Sequence, residues 1–186
     1  IRYSYGELLF DLFDGKASIY GIDFSENMVK LCQKKNPKGT FLQGESNNIP
    51  FEKGMFDIVI CYSIFHYFPN DYYAEKTINE LIRVSKTNGK ILIGDLPDLN
   101  MKYQLLPPLL YSPYKVIRKR LAFFIKSLFK NKKAYRPIED PKNWKWYDLK
   151  FIIETINSLG HNAKIISQPP SLLASKYRKD ILIVKK

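Results

Sequence analysis

Ser18-Ile19-Tyr20-Gly21-Ile22-Asp23-Phe24-Ser25 is the stretch on which the reading of this chain turns. Ile19 to Ile22 has the length and apolar content of a short buried strand, and it ends on a carboxylate, Asp23. Ser25 stands where a helix N-cap belongs, and Met28, Leu31 and Cys32 recur at i, i+3, i+4 on the helix it would start. The C-terminal tip of a parallel strand is where open α/β sheets bind ligands. A carboxylate there accepts hydrogen bonds from both hydroxyls of a ribose. The competing reading makes Asp23 a surface residue that helps to open the helix.

Upstream, Ile1-Arg2-Tyr3-Ser4-Tyr5-Gly6 leads into Glu7-Leu8-Leu9-Phe10, which reads as a helix start closed by Gly15. Strand end, turn, helix, strand and acidic residue is the order of a nucleotide-binding half, although only Gly6 is small enough for close backbone approach. Downstream, Phe41–Gly44 is a second short strand, and Asn47–Phe51 is a loop. Phe56-Asp57-Ile58-Val59-Ile60-Cys61 has the continuous apolar character of a strand covered on both faces. Thr77–Val84 places Ile78, Leu81 and Ile82 on one helical face. Lys86–Lys90 reads as a turn, and Ile91–Gly94 as a buried strand tipped by Asp95. Tyr147–Leu159 is a helix with Leu149, Ile152, Ile153, Ile156 and Leu159 aligned and Gly160 as its stop, followed by strands over Ala163–Ser167 and Asp180–Val184. Alternating strands and helices predict an α/β fold with a mostly parallel sheet and helices on both faces.

The 186 residues, 45% of them apolar, suffice for one globular core. Two cysteines, Cys32 and Cys61, are too few for a disulfide framework and read as buried thiols in a reducing, cytoplasmic setting. No signal peptide is visible, and position 1 is Ile, so the sequence is expected to be either processed or truncated at its front. Charge is concentrated. Between Asp98 and Glu139 there are ten basic residues and no acidic one, which accounts for +10 of the net +12. Within that segment Lys115–Lys130 reads as a basic amphipathic helix, with Ile117, Leu121, Phe124, Ile125 and Leu128 on one face. The organisation expected is a core over residues 1–98, a basic helical insertion over 99–141, and a closing helix and two strands over 142–186.

Four blocks in this order carry a resemblance: Tyr20–Met28, Gly44–Phe51, Phe56–Cys61 with Phe65–Pro69, and Glu80–Val84 through Asn88–Leu92. Together the chain resembles the class I S-adenosylmethionine-dependent methyltransferases of the small-molecule type, closely over about residues 1–98. The resemblance implies a Rossmann-like sheet with an antiparallel last strand and S-adenosylmethionine as cofactor. It implies that Asp23 binds the ribose hydroxyls and that Phe24 and Met28 line the adenine. Glu45, where the family usually has Asp, lies near the adenine amino group with Ser46 beside it. Cys61 and Tyr62 end the strand under the methionine half, and Gly6 is the last glycine of the family's Gly-x-Gly-x-Gly turn. Arg2 and Ser4 depart from that turn, and the first, central strand would lie before Ile1.

Methyl transfer from a sulfonium is an in-line displacement, so position and a dry pocket do most of the work. A general base is needed only where the acceptor loses a proton, and His66 and Asp95 are the catalytic candidates at the strand rim. Neither cysteine has the setting of a nucleophile, and no His/Cys cluster has metal spacing. The basic segment has three readings: a solvated face, a lid for an acidic acceptor such as a phosphate-bearing sugar or lipid-linked glycan, or a peripheral contact with anionic membrane. Nucleic acid is disfavoured, because no base-stacking module is present. The function expected is methylation of an oxygen or nitrogen on a small-molecule or glycan-type acceptor. Two alternatives are an inactive, methyltransferase-like scaffold at a membrane or partner surface, and a nicotinamide-dependent oxidoreductase, which leaves the Gly44–Phe51 and Glu80–Leu92 blocks without a purpose.

Overall fold

The computed structural model describes residues 16–102, 144–170 and 175–186. The deciding stretch forms β1 (Tyr20–Asp23), and α1 (Glu26–Lys35) follows it directly. Ser25 holds the N-cap position but makes no side-chain cap bond. Asp23 opens the helix instead, its Oδ1 accepting the Ser25 N–H at 2.8 Å. β2 (Thr40–Gln43) pairs in parallel with β1, Asp23 opposite Gln43. Next come β3 (Phe56–Tyr62), a 3-10 turn (Phe65–Tyr67), α2 (Asp71–Val84) and β4 (Ser85–Pro97). A second 3-10 turn (Leu99–Met101), then α3 (Leu149–Ser158), β5 (Asn162–Ser167) and β6 (Arg178–Val184), complete the described chain.

Hydrogen bonding divides the strands into a β1–β2 pair and a sheet of order β3-β4-β6-β5. β3 and β4 are parallel, and β6, the last strand, runs antiparallel to both of its neighbours. The division falls where the resemblance puts its first, central strand. Tyr20, Phe51 and Phe56 tie the two groups together at the strand starts, with ring centroids 5.7, 5.4 and 5.2 Å apart. Above them a cavity of 690 Å³ separates β1 from β3.

The core is built where β4 meets β6. Ile91 and Ile93 face Ile183 and Ile181 across the ladder, and all four are fully buried. Burying such a side chain stabilises by about 1.5–3 kcal/mol. Ile78, Leu81 and Ile82 of α2 pack on the same cluster, as do Leu149 and Ile156 of α3. The α3 boundaries follow from its caps. Asp148 accepts the N–H groups of Lys150 and Phe151, and Gly160, at φ +89°, sits in the left-handed conformation that ends the helix.

Three expectations change. Ile58 is 53% exposed, and among the described residues β3 pairs on one side only, with β4, its other side turned toward the cavity. Lys86–Lys90 is not a turn ahead of the strand but part of it. β4 runs unbroken from Ser85, absorbing Asn88 at φ 63°, while the pairing with β3 shifts register between Phe56 and Ile58. Leu159 is 55% exposed, which ends the apolar face of α3 at Ile156. The basic helix expected over Lys115–Lys130, the helix expected from Glu7, and Arg2, Ser4 and Gly6 lie outside the described residues. Among the described residues no helix is long and apolar enough to cross a membrane.

Candidate functional site

The parallel register of β1 and β2 brings two segment ends side by side. Gly44 N–H donates to the Asp23 carbonyl at 3.1 Å, so the chain leaving β2 enters the Glu45–Ser46 turn beside the Asp23 tip. Asp23 is half-buried and lines the 690 Å³ cavity, as do Ser46, Ile49, Cys32 and Cys61. Three expected cofactor residues, Asp23, Ser46 and Cys61, thus share one cavity. The others are placed around it. Phe24 is 63% exposed just past the tip, Met28 is half-buried on α1, and Glu45 is exposed, its Oε2 accepting the Tyr73 hydroxyl at 3.1 Å. Ser46 Oγ is 3.1 Å from Thr77 Oγ1. Tyr62 does not line the cavity; its ring lies over Gly94 on β4, where an added Cβ would sit 2.1 Å from Tyr62 Cδ2.

The two cysteines are held as thiols. Burial pushes Cys61 up to about 12 and raises Cys32 as well, so neither supplies a thiolate near neutral pH. Cys61 is therefore wall material, as its place in the hydrophobic cluster also requires.

A second, polar cluster occupies the ends of β3 and β4. Ser63, just beyond β3, and Asp95, at the register shift between Ile93 and Leu96, both have left-handed backbones at φ 59° and 64°. Non-glycine residues hold that conformation when the surroundings fix them, and such positions cluster at functional sites. Here the surroundings are explicit. Ser63 Oγ donates to Asp95 Oδ2 at 2.6 Å, and the Arg178 guanidinium forms an ion pair with the same oxygen. Arg178 in turn lies over the Trp144 ring, 4.1 Å from its centroid. Asp180 Oδ1 accepts both the Asp95 N–H at 2.9 Å and Gln168 Nε2 at 2.8 Å. Burial, with the charges of Asp180 and Asp95 added, raises the Tyr62 phenol, which therefore stays protonated and polar.

His66 is 3% exposed in the turn after β3, its ring 4.0 Å from that of Tyr67 and 5.5 Å from that of Trp144. Both catalytic candidates thus stand at the same end of the sheet, joined through Trp144 and Arg178. Sequence reasoning did not single out Ser63, Trp144, Gln168, Arg178 or Asp180. Arg178 is 83 positions from Asp95, and only the antiparallel β4–β6 register, Pro97 opposite Arg178, brings them together. The available signal was the charged run Arg178-Lys179-Asp180 ahead of an apolar strand, and that does not name a partner.

Parallel strands with helices between them and a half-buried carboxylate at the tip of β1 define a Rossmann-like α/β domain. In fold the chain is similar to a SAM-dependent methyltransferase from Aquifex aeolicus, with a TM-score of 0.56 at 17% identity over 97% of this chain and 75% of that one. Residues 4–93 match the family model described as "Methyltransferase domain". Over those residues the chain resembles a methyltransferase domain, and its fold is that of SAM-dependent methyltransferases. Among curated relatives it is 29% identical over 128 residues to phthiotriol/phenolphthiotriol dimycocerosates methyltransferase 1 of Mycobacterium ulcerans, covering 67% of this chain and 46% of the relative. It is 36% identical over 98 residues to the demethylmenaquinone methyltransferase of Lactococcus lactis, covering 47% of this chain and 36% of the relative. The chain therefore spans less than half the length of these two relatives.

Proposed function

We propose that the chain transfers a methyl group from S-adenosylmethionine to an oxygen or nitrogen of a small-molecule or glycan-type acceptor. The observation that carries this reading is the placing of Asp23 at the tip of β1 beside the Glu45–Ser46 turn, where the Gly44 N–H meets the Asp23 carbonyl at 3.1 Å. The donor set fits the cofactor. An acceptor-only carboxylate at the tip of β1 suits the two donor hydroxyls of a ribose, and an exposed Glu45 suits a donor amino group. When bound, S-adenosylmethionine supplies an electrophilic methyl on a sulfonium. Asp23 would hold the ribose, Glu45 and Ser46 the adenine edge, and Phe24 and Met28 its face. His66 and Asp95 stand at the acceptor side. Where the acceptor is a hydroxyl or ammonium, one of them takes its proton; Asp95, already bound by Ser63 and Arg178, is suited to hold a neighbour in place.

The names of the matched relatives, methyltransferases of phthiotriol dimycocerosates and of demethylmenaquinone, support an acceptor delivered from a lipid phase. Peripheral contact with an anionic membrane belongs to the same reading. It is supported by six basic and no acidic residues in Lys115–Lys130, alternating with apolar ones.

A thermal-shift titration with S-adenosylhomocysteine, with NADH as control, tests the cofactor. A ligand of the folded state raises the midpoint in step with its concentration. A shift with S-adenosylhomocysteine alone supports the methyltransferase. No shift with either points to the departing first motif, Arg2 and Ser4, and favours the scaffold only where a chain extended upstream of Ile1 also fails to respond. A shift with NADH alone favours the oxidoreductase.

A further inference from the structure

The loop that carries Glu45 and Ser46 is gripped along its length by one face of α2. Tyr73, Thr77 and Glu80 lie at i, i+4 and i+7 and so share that face. Tyr73 donates to Glu45 Oε2 and Thr77 meets Ser46 Oγ, each at 3.1 Å. The strongest grip is further along. Glu80 Oε2 accepts the Ile49 N–H at 2.7 Å. Arg83 then donates Nη2 to the Ile49 carbonyl and Nη1 to the Phe51 carbonyl, both at 2.8 Å. The same guanidinium is locked onto Glu80 by Nε at 2.6 Å and Nη2 at 2.8 Å.

This arrangement does more than an exposed helix ion pair does. An i,i+3 Glu–Arg pair in solvent contributes only a few tenths of a kcal/mol. Here Glu80 and Arg83 are partly buried, at 18% and 34% side-chain exposure, and each spends its remaining capacity on loop backbone. Together they satisfy one N–H and two C=O groups of a segment that has no ladder to pair with. Only a planar fork reaches two carbonyls and a carboxylate at once; an ammonium is a point donor. Ile49, held in the middle of the grip, is 8% exposed and lines the same cavity as Ser46.

We propose that Glu80 and Arg83 are a positioning pair for the cofactor loop: by fixing the backbone of Ile49–Phe51 they hold Glu45 and Ser46 in the register that selects adenine over other purines. This rests on the cofactor reading above. A hydrogen-bonding site discriminates only while its groups are held near productive geometry, and a loop loosened by an ångström loses selectivity before it loses binding.

The test is a ratio. Calorimetric titrations with S-adenosylhomocysteine and with S-inosylhomocysteine, whose carbonyl oxygen replaces the 6-amino group, are made on the parent chain, Arg83→Lys and Glu80→Gln. Glu80→Gln keeps an acceptor for the Ile49 N–H and guards against a folding defect in the other variant; the ratio reads only folded protein in both. The parent should prefer the adenosyl ligand by on the order of tenfold or more, and each variant should bring that preference close to one. Variants that weaken both ligands equally, or only lower the melting midpoint, overturn the inference and leave the cofactor reading standing. A parent that binds both ligands alike overturns the adenine role of the loop and the inference with it. A parent that binds neither overturns the cofactor reading itself.

Discussion

Arg178→Met isolates the charge pair at the rim. Arg178 and Asp95 are 9% and 12% exposed at their side chains, so solvent screens the pair weakly. Removing the guanidinium leaves the Asp95 carboxylate buried, with Ser63 Oγ as its side-chain donor. Breaking a buried pair in this way costs about 3–5 kcal/mol, and losing the stack on Trp144 adds about 0.5–2 kcal/mol. For a domain of this size that is a fall in melting midpoint of roughly 7–28 °C. The double variant Asp95→Asn/Arg178→Met removes both charges and keeps an acceptor for the Ser63 hydroxyl, so it should recover most of the loss. Urea denaturation of the parent, both single variants and the double variant gives the four corners of the cycle. A single variant that loses less than about 1 kcal/mol, with no recovery in the double variant, would refute the reasoning, because it would mean the pair is effectively solvated.

Three further outcomes are expected. Cys61 has its folded-state pKa raised to about 12, above its unfolded value, so above about pH 8.5–9 the unfolded chain releases a proton that the folded chain keeps. Its contribution to stability therefore falls as pH rises through that window, by up to about 1.4 kcal/mol per pH unit; in alkaline melts Cys61→Ala should flatten this slope, and an unchanged slope counts against the burial. Gly94→Ala pushes a methyl into the Tyr62 ring, with contacts of 2.1 and 2.3 Å, and should destabilise by about 1–3 kcal/mol; a neutral result in a urea titration would show that Tyr62 moves freely. Replacing Lys119, Arg120 and Lys126 with Gln should weaken sedimentation with phosphatidylglycerol vesicles and leave phosphatidylcholine vesicles unaffected, and equal binding by parent and variant removes the membrane contact.

What could be read from the sequence was whatever depends on local period. The apolar spacing of Leu149, Ile152, Ile153 and Ile156 and the stop at Gly160 gave α3 nearly to the residue. The apolar run ending on Asp23 gave β1 and its tip. What could not be read depends on neighbours. The run Phe56–Cys61 does not say which strands lie beside it, so the exposure of Ile58 toward the cavity was invisible until the order of the described strands was known. Lys86-Thr87-Asn88-Gly89 has turn composition and lies within the range of β4, where the pairing with β3 jumps from Ser85 to Lys90 and Asn88 takes a left-handed backbone. The rim cluster is the extreme case. Asp95 was singled out for its place after an apolar run, whereas its partners Ser63 and Arg178 stand 32 and 83 positions away and are assembled only by strand register.

The central claim is that Asp23 faces the cofactor's ribose and does not serve only to open α1, for which its Oδ1 is already engaged by Ser25. Calorimetric titration of S-adenosylhomocysteine into the parent chain and into Asp23→Asn separates the two roles. The amide keeps an oxygen for the Ser25 N–H and removes the charge that suits two hydroxyl donors. The account predicts saturable binding by the parent and a loss of about 1.5–3 kcal/mol, roughly ten- to over a hundredfold in affinity, in the variant with the fold intact. Equal affinity in the two proteins would contradict it and leave Asp23 as a helix-opening residue alone.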